Sequence, residues 1–394
     1  MAISVYEIRS GLSQMPRAHS ASFLSAVEAA LSEKLELTEL DAFRNEPFGL
    51  IYVSSGGSEA LFLQQFSSYD KPCFLLTSGD SNSLAASMEI LAYLRQHERK
   101  GEILHGDVAA IARRIRVLSR AAHARQRLSG LRLGVIGKPS DWLIASEIDR
   151  AACKAKLGVE IVDLPMDELL ETYKTAPSVE NEWTHRLRAL GYDAGEMDKA
   201  LAIYSALKAM VANHNLGAIT VRCFDLLGSV CTTGCLALAI LNAEGIHAGC
   251  EGDVPSALSM AILGELSHQP VFMCNPSRID TRAGNMVLAH CTLPVNMPRE
   301  MQLTTHFESG IGVAIAGNIP EGTCTVFKAG ADLSRYYAKA GMIEKNLRET
   351  SLCRTQIQVT LDDMSYFLTD PIQNHHLVCN GDYTDEIREF FTLL

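Results

Sequence analysis

The sequence predicts an α/β protein: doubly wound parallel sheet over most of the chain, then a β-rich C-terminal segment. Short apolar strands alternate with helical stretches through the first 270 or so residues, and that alternation favours parallel sheet with helical crossovers. Several strands end in turns rich in glycine or serine that lead straight into a helix. From about residue 280 the texture changes to short alternating segments separated by turn signals, which points to antiparallel sheet in a small barrel or sandwich.

Ser22 to Glu33 carries Phe23, Leu24, Val27 and Leu31 at helical spacing, the pattern of an amphipathic helix. Phe48 to Val53 reads as a strand; it ends in Ser54-Ser55-Gly56-Gly57-Ser58-Glu59 and runs into an apolar helix, Ala60 to Phe66. Backbone N–H groups in such a turn can cradle an anion or a sugar hydroxyl. The turn lacks the lysine of a P-loop and the third glycine of the dinucleotide fingerprint. Cys73 to Thr77, the turn Ser78 to Ser83 and a helix through Leu84 to Leu94 repeat the unit. A long helix from Asp107 to about Gln126 precedes a strand at Leu131 to Gly137, which sets a first domain at 1–128.

The second domain, 129–279, continues the alternation. Val159 to Val162 and Ala218 to Arg222 read as strands, with helices at Met166 to Tyr173, Met197 to Asn213 and Thr233 to Glu244. Ile246 to Cys250 is a short buried strand. Asp253 followed by Pro255 is the signature of a helix N-cap with proline in the first turn, so Glu251 falls in the strand-to-helix turn. Ligands bind at such turns in open α/β sheets. A carboxylate there is either an acid favourably placed near a helix N-terminus or a metal ligand or base. Pro270 to Asn275 reads as the strand that follows this helix. The third domain, 280–394, holds strand segments at Met286 to His290, Gly312 to Ile315, Thr323 to Phe327 and Ile357 to Leu361, with a short helix at Tyr383 to Phe391.

Composition narrows the function. The chain has 394 residues, 47% hydrophobic and 21% charged, ordinary values for a globular protein. With 35 Lys plus Arg against 46 Asp plus Glu, the net charge is −11, a field that repels phosphate backbones and anionic lipid. Neither nucleic acid nor a membrane is expected as a partner. No apolar run approaches the roughly 18 residues of a spanning helix, and the N-terminus has no signal pattern, so a cytoplasmic protein is expected. Eleven cysteines, none in a CxxC pair, read as buried reduced thiols; Cys231-Thr232-Thr233-Gly234-Cys235 is the nearest approach to a zinc pattern.

Candidate metal ligands are Asp225, Glu251, Asp253, Asn275, Asp280, His290, His306, His375 and His376. Asp253 doubles as a cap, and the adjacent His375 and His376 point to opposite faces if they lie in a strand. Carboxylates with one imidazole suit manganese or magnesium better than structural zinc. Such a site suits metal-assisted proton transfer next to a carbonyl.

Four stretches in order carry a resemblance: Gly137-Lys138-Pro139-Ser140-Asp141-Trp142-Leu143-Ile144-Ala145-Ser146, Cys250-Glu251-Gly252-Asp253, His290-Cys291, and Asn374-His375 ahead of Asn380-Gly381-Asp382-Tyr383. Together they resemble the L-fucose isomerase-like and L-arabinose isomerase-like sugar isomerases over most of the chain. The resemblance implies two Rossmann-like domains and a β-rich C-terminal domain. It also implies an aldose–ketose isomerase of a pentose, a 6-deoxyhexose or a substituted hexose, working through an enediol with Mn²⁺, or with Mg²⁺ or Co²⁺. Glu251 then stands as metal ligand and catalytic base, and His375 as a ligand. The family's second acid falls about 24 residues after the first, where this chain has Asn275. An amide can coordinate through its oxygen but cannot accept the proton, so Asp280, the next carboxylate, is a candidate for the missing catalytic group and Asp225 another. His290, His306 and Arg354 are candidate substrate contacts. The turn at Gly56, Gly57 and Ser58 would serve a neighbouring subunit's site, which implies a homo-oligomer. A sugar-binding protein without catalysis and a metal-assisted carbon–carbon lyase or transferase are the alternative readings.

Overall fold

All five residues of the strand Gly49–Val53 are buried, a pattern that requires a sheet covered on both faces. The computed structural model describes every residue except 1, 12, 14 and 15, and it divides into a first unit that ends at Gln126 and a second, Arg127–Thr392. In the first unit β1 (Ile3–Ile8), β2 (Leu35–Leu37), β3 (Gly49–Val53), β4 (Cys73–Leu76) and β5 (Gly101–Leu104) form a parallel sheet in the order β2-β1-β3-β4-β5. Successive side chains of a strand face opposite sides. Accordingly Leu50, Tyr52, Phe74 and Leu76 pack with Val27, Leu31, Ile111 and Ile115, while Ile51, Val53, Cys73 and Leu75 pack with Phe62, Phe66, Ile90 and Leu94. The strand order reverses between β1 and β3, and the Ser54–Ser58 turn lies at the carboxyl end of β3, where such a reversal opens a crevice.

That turn is hydrogen-bonded both within itself and to neighbouring loops. Gly56 N–H donates to the Ser81 carbonyl at 2.7 Å, Ser10 N–H donates to Ser55 Oγ at 3.0 Å, and Ser58 Oγ donates to the Ser55 carbonyl at 2.7 Å.

The second unit joins a parallel sheet to a barrel. Its strands are β6 (Arg132–Ile136), β7 (Glu160–Leu164), β8 (Ala218–Val221), β9 (His247–Gly249), β10 (Phe272–Asp280), β11 (Asn285–His290), β12 (Glu300–Thr304), β13 (Ala314–Asn318), β14 (Gly322–Ala329), β15 (Tyr336–Asn346), β16 (Thr355–Thr360) and β17 (His376–Asn380). The parallel sheet runs β7-β6-β8-β9. The barrel closes in the order β10-β11-β16-β15-β14-β17, and β12 and β13 form a separate hairpin. Between them lies the helix Val254–Ser267, buried along almost its whole circumference, as a helix must be when both sides are packed. It contacts β8 and β9 on the sheet and β14 and β17 on the barrel.

One strand is placed differently from the sequence reading. The segment Pro270 to Asn275 was expected as the next strand of the α/β alternation; it begins β10, which pairs antiparallel with β11 and β17. The barrel therefore starts at Phe272 and not at 280. Among the described residues no helix is long and apolar enough to cross a membrane.

Candidate active site

The turn after β9 is held in an unusual conformation. Glu251 has φ +63° and Gly252 φ +70°, the left-handed region that side chains other than glycine rarely adopt. A Cβ at position 252 would run into the Lys138 carbonyl oxygen. Ser140 N–H donates to the Glu251 carbonyl at 2.9 Å and Gly252 N–H to the Val221 carbonyl at 2.9 Å, so the turn is wedged between the loop after β6 and the end of β8. Backbone strain of this kind is sustained where surrounding structure over-determines it.

Arg222 fixes the loop after β6. Its guanidinium donates to the Pro139 carbonyl at 2.6 Å and to Asp141 Oδ2 at 2.8 Å, and its Nε donates to Asp225 Oδ1 at 3.0 Å. Asp225 is thereby occupied as a partner of Arg222. The loop presents Trp142, whose Nε1–H donates to Glu251 Oε2 at 2.6 Å. Trp142 meets Phe224 edge to face at 4.9 Å, and Phe224 meets His306 likewise at 5.5 Å. These three rings make one wall beside Glu251.

The barrel supplies two imidazoles. His290 ends β11 and His375 directly precedes β17; their rings meet edge to face at 5.6 Å. Glu251 Oε1 lies 3.4 Å from His375 Nε2 and 3.8 Å from His290 Nε2. One ligand atom from each of Glu251, His290 and His375 lies within 4.8 Å of the others. His290 Nδ1 accepts the Thr292 backbone N–H at 3.2 Å, so in the neutral ring the proton sits on Nε2, facing Glu251. His375 is arranged the other way. Its Nδ1 lies 2.8 Å from Asp253 Oδ2, which holds a proton there and turns Nε2 into the site. Among the described residues that fully buried Nε2 has no hydrogen-bond partner.

Asp253 is the hub behind His375. Its Oδ1 accepts the Ser256 N–H at 2.9 Å as the helix cap, and its Oδ2 accepts Ser256 Oγ–H at 2.7 Å. Lys328, 0% exposed, donates from Nζ to Ser256 Oγ at 2.6 Å. Burial opposes ionisation of both carboxylates. At Glu251 the two imidazoles outweigh it, and at Asp253 the Lys328 ammonium and His375 do so, holding each well below the usual carboxylate range. Burial also works against an imidazolium at His375, yet Asp253 and Glu251 raise that ring to about 9. Burial lowers Lys328 to about 8, with Asp253 opposing.

The remaining sequence candidates are dispersed. His306 is buried, with Nδ1 3.0 Å from Ser309 Oγ and Nε2 3.0 Å from Glu308; burial lowers its pKa, with the Arg354 charge acting in the same direction. Arg354 donates from Nε to the Thr305 carbonyl at 2.8 Å and lies over Phe307. Asn275 pairs with Ala289, next to His290, but its Oδ1 accepts from Asn374 Nδ2 at 3.2 Å. Asp280 does not join the cluster. It sits at the far end of β10, about 16 Å along the strand from Asn275 at the usual rise per residue, and its Oδ1 accepts the N–H groups of Arg282 and Ala283 at 2.9 and 3.0 Å. His376 faces away from His375 and meets Tyr366 OH at 3.0 Å. Gly56, Gly57 and Ser58 belong to the first unit, whereas every member of the cluster belongs to the second. Trp142, Phe224 and Lys328 were not singled out from the sequence, although Trp142 stands inside the first quoted motif.

Gly252→Ala should destabilise the protein by at least about 1–2 kcal/mol, the cost of a left-handed alanine, and more through displacement of the 138–140 loop. A urea midpoint unchanged by the substitution would contradict the described turn. Linkage gives a second expectation for the metal-free protein. His375 is raised from 6.5 to about 9, so its charged form contributes stability that is complete below pH 6.5 and is lost as pH rises through about 9. His375→Gln should abolish that decline in denaturation midpoint; an identical slope in the variant would refute the assignment.

No family model matches the chain. A sulfoquinovose isomerase of Alkalicoccus urumqiensis is 22% identical over 384 residues, 89% of this chain and 86% of that protein. One of Clostridium sp. (strain MSTE9) is 27% identical over 236 residues, 56% of this chain and 52% of that protein. One of Priestia megaterium (strain ATCC 12872 / QMB1551) is 22% identical over 334 residues, 79% and 74% of the two lengths. Relatives of one activity in several genera, the first of them aligned along nearly the whole chain, indicate that this protein is an enzyme of carbohydrate metabolism, an aldose–ketose isomerase.

Proposed function

We propose that the enzyme interconverts the aldose and ketose forms of a sulfonated hexose through an enediol, at Glu251, His290 and His375, with a divalent cation of the manganese type bound there. The observation that carries this reading is the convergence of two buried imidazoles on one carboxylate at the carboxyl edge of a parallel sheet. Relatives named for sulfoquinovose support the substrate class.

The donor set fits a cation. An ionised carboxylate and an unpartnered imidazole nitrogen, both directed inward, are the oxygen and nitrogen donors that such ions take, and the Nδ1–carboxylate contact of His375 is the usual outer support of a ligating histidine. Glu251 and His375 would hold the ion, with Asn275 proposed as a further oxygen ligand. The ion would polarise the carbonyl and hydroxyl oxygens of the sugar. His290, with its proton on Nε2, is assigned as the donor to a substrate oxygen.

The chain's own groups handle the protons. Glu251 is ionised at neutral pH, so it enters as an acceptor. Trp142 Nε1–H orients the carboxylate through Oε2, and the Glu251 carboxylate is assigned to take the C2 proton of the aldose and return it to C1. His290 Nε2–H hands a proton to the carbonyl oxygen and recovers one as the ketose forms. Positioned proton transfer of this type contributes roughly 10²–10⁴-fold. The aromatic wall of Trp142, Phe224 and His306 shields one side, and Arg354 remains the proposed contact for a distal substituent. Unpaired cysteines throughout suit a cytoplasmic enzyme. The reading includes a homo-oligomer in which the Gly56–Ser58 turn serves a neighbouring copy.

Sulfoquinovose incubated with enzyme and Mn²⁺ in D₂O should yield ketose carrying solvent deuterium at C1, and Glu251→Gln should lower turnover by about 10²–10⁴-fold. Undiminished turnover in that variant would remove Glu251 from its role. Because His375 stays protonated to about 9 in the free site, cation binding at neutral pH should release a proton. Calorimetric titrations in buffers of different ionisation enthalpy measure that release; heats independent of the buffer would exclude His375 as a ligand.

A further inference from the structure

Three segments of the second unit come together outside the Glu251 cluster, and each carries a group that can hold a metal. β11 and β16 pair with His290 opposite Thr355, which sets Cys291, the residue after β11, against the turn that carries Cys353. That turn is pinned, because the Cys353 carbonyl accepts from Gln356 Nε2 at 2.8 Å. The third segment is the loop between β12 and β13. His306 N–H donates to the Ile311 carbonyl at 3.0 Å and Gly310 N–H to the His306 carbonyl at 2.9 Å, and the loop closed in this way presents Glu308. Thr355 Oγ1 donates to the Ile315 carbonyl at 2.8 Å, which joins β13 to β16.

One ligand atom from each of Cys291, Glu308 and Cys353 lies within 4.8 Å of the other two. Cys291 is buried and packs with Cys235 and Ala314, as free thiols do in many cores. Apolar packing accounts less well for the other two groups. Cys353 is half-buried at the edge of that cluster, and its sulfur lies 3.7 Å from Glu308 Oε1, a carboxylate that a purely apolar contact has no use for. A zinc ion with bonds of about 2.3 Å to sulfur and about 2.0 Å to oxygen sets tetrahedral neighbours roughly 3.5–3.8 Å apart, and the observed separation falls in that interval. The second carboxylate oxygen, Oε2, lies 3.0 Å from His306 Nε2, an outer contact of the kind that orients a ligating group. Glu308 is half-exposed, so an ion has a path in from solvent. Two thiolates with one carboxylate carry three negative charges; a divalent ion removes two, and the guanidinium of Arg354, next in the chain to Cys353, offsets the third.

We propose that Cys291, Cys353 and Glu308 form a second cation site, separate from the isomerase centre, that takes Zn²⁺ or another thiophilic divalent ion with its fourth position left to water. Sulfur donors select a softer cation than the oxygen and nitrogen donors at Glu251, so the two sites differ in the ion they prefer. An ion here braces the three segments that carry His290, His306 and Arg354. The site stands apart from the isomerase reading, and no substrate enters its test.

The probe is Cd²⁺, added to reduced, metal-free full-length protein and followed by its thiolate charge-transfer absorption, with Zn²⁺ as competitor in a second titration. Wild-type protein should develop a saturable band that Zn²⁺ erases. The final height of the band should be the same with and without excess Mn²⁺, which distinguishes this site from the Glu251 cluster. Cys353→Ser should lower the band and weaken Zn²⁺ binding by at least about 10–100-fold, the range already seen when an outer partner of a ligand is lost. Glu308→Gln should keep the sulfur band and weaken binding. Cys291→Ser should behave as Cys353→Ser does; should it not fold, Cys353→Ser decides, since its half-buried position accepts a hydroxyl. Cys223 and Cys250, with sulfurs 3.0 Å apart, are the competing thiol pair. A band that survives Cys353→Ser and disappears in Cys223→Ser would place the ion there and overturn the proposal, as would a wild-type protein that gives no saturable band, or Zn²⁺ binding unchanged in both Cys353→Ser and Glu308→Gln.

Discussion

The site depends on one buried carboxylate. Asp253 is wholly enclosed, and an ionised carboxyl group in that position is tolerated only when its oxygens are satisfied. A backbone N–H, a hydroxyl and an imidazole N–H satisfy them, with the Lys328 charge close behind. These partners come from different parts of the second unit. Ser256 lies on the helix that follows the sheet, whereas His375 and Lys328 lie on the barrel. The bonds that keep Asp253 ionised are thus also bonds between layers, and the helix N-terminus adds its own preference for a negative group. Glu251, two residues away, inherits that rigidity.

Glu251 is held by a different device. Its backbone is left-handed and its carbonyl is tied to the loop after β6, so the orientation of the side chain is set by the turn. Trp142 and the two imidazoles then divide its oxygens, one to the indole and one to the barrel. Arg222 matters here although it touches no member of the cluster, because its contacts to Pro139 and Asp141 place the loop that carries Trp142.

Legibility in the sequence followed the range of the interactions. The Glu251 turn could be read because its signals are local: a strand, an N-cap aspartate and a proline within a few residues. The alternation of strands and helices also showed the two parallel sheets, since a strand buried on both faces is a nearly continuous apolar run. The same property misplaced β10, whose first residues are such a run and whose antiparallel partners lie far along the chain. The strand β15 gave no signal because Lys339, Glu344 and Lys345 interrupt its pattern. Asp253 was legible as a cap, and a cap uses one oxygen; nothing local marks the other as a partner of a histidine 122 residues later. Lys328 looks in sequence like an outward-facing lysine of a barrel strand, and only the packing of the helix Val254–Ser267 against β14 makes that face an interior one.

The amide at Asn275 acquires a physical meaning from this arrangement. Under the proposed cation, His375 is neutral, and the charges gathered at the site are two carboxylates, one ammonium and a divalent ion, a balance of one positive charge. A second acid at position 275 would cancel it. Under that reading an amide in place of the acid leaves oxygen coordination available while keeping the surplus, and in a buried site a surplus charge acts over longer distances than it would in solvent. In the proposed reaction such a surplus would favour a developing enediolate and a substrate with an anionic substituent. On the proposed reading the amide would remove one proton acceptor and leave a positive surplus suited to a charged sugar, with His290 as the proposed carrier of the other proton.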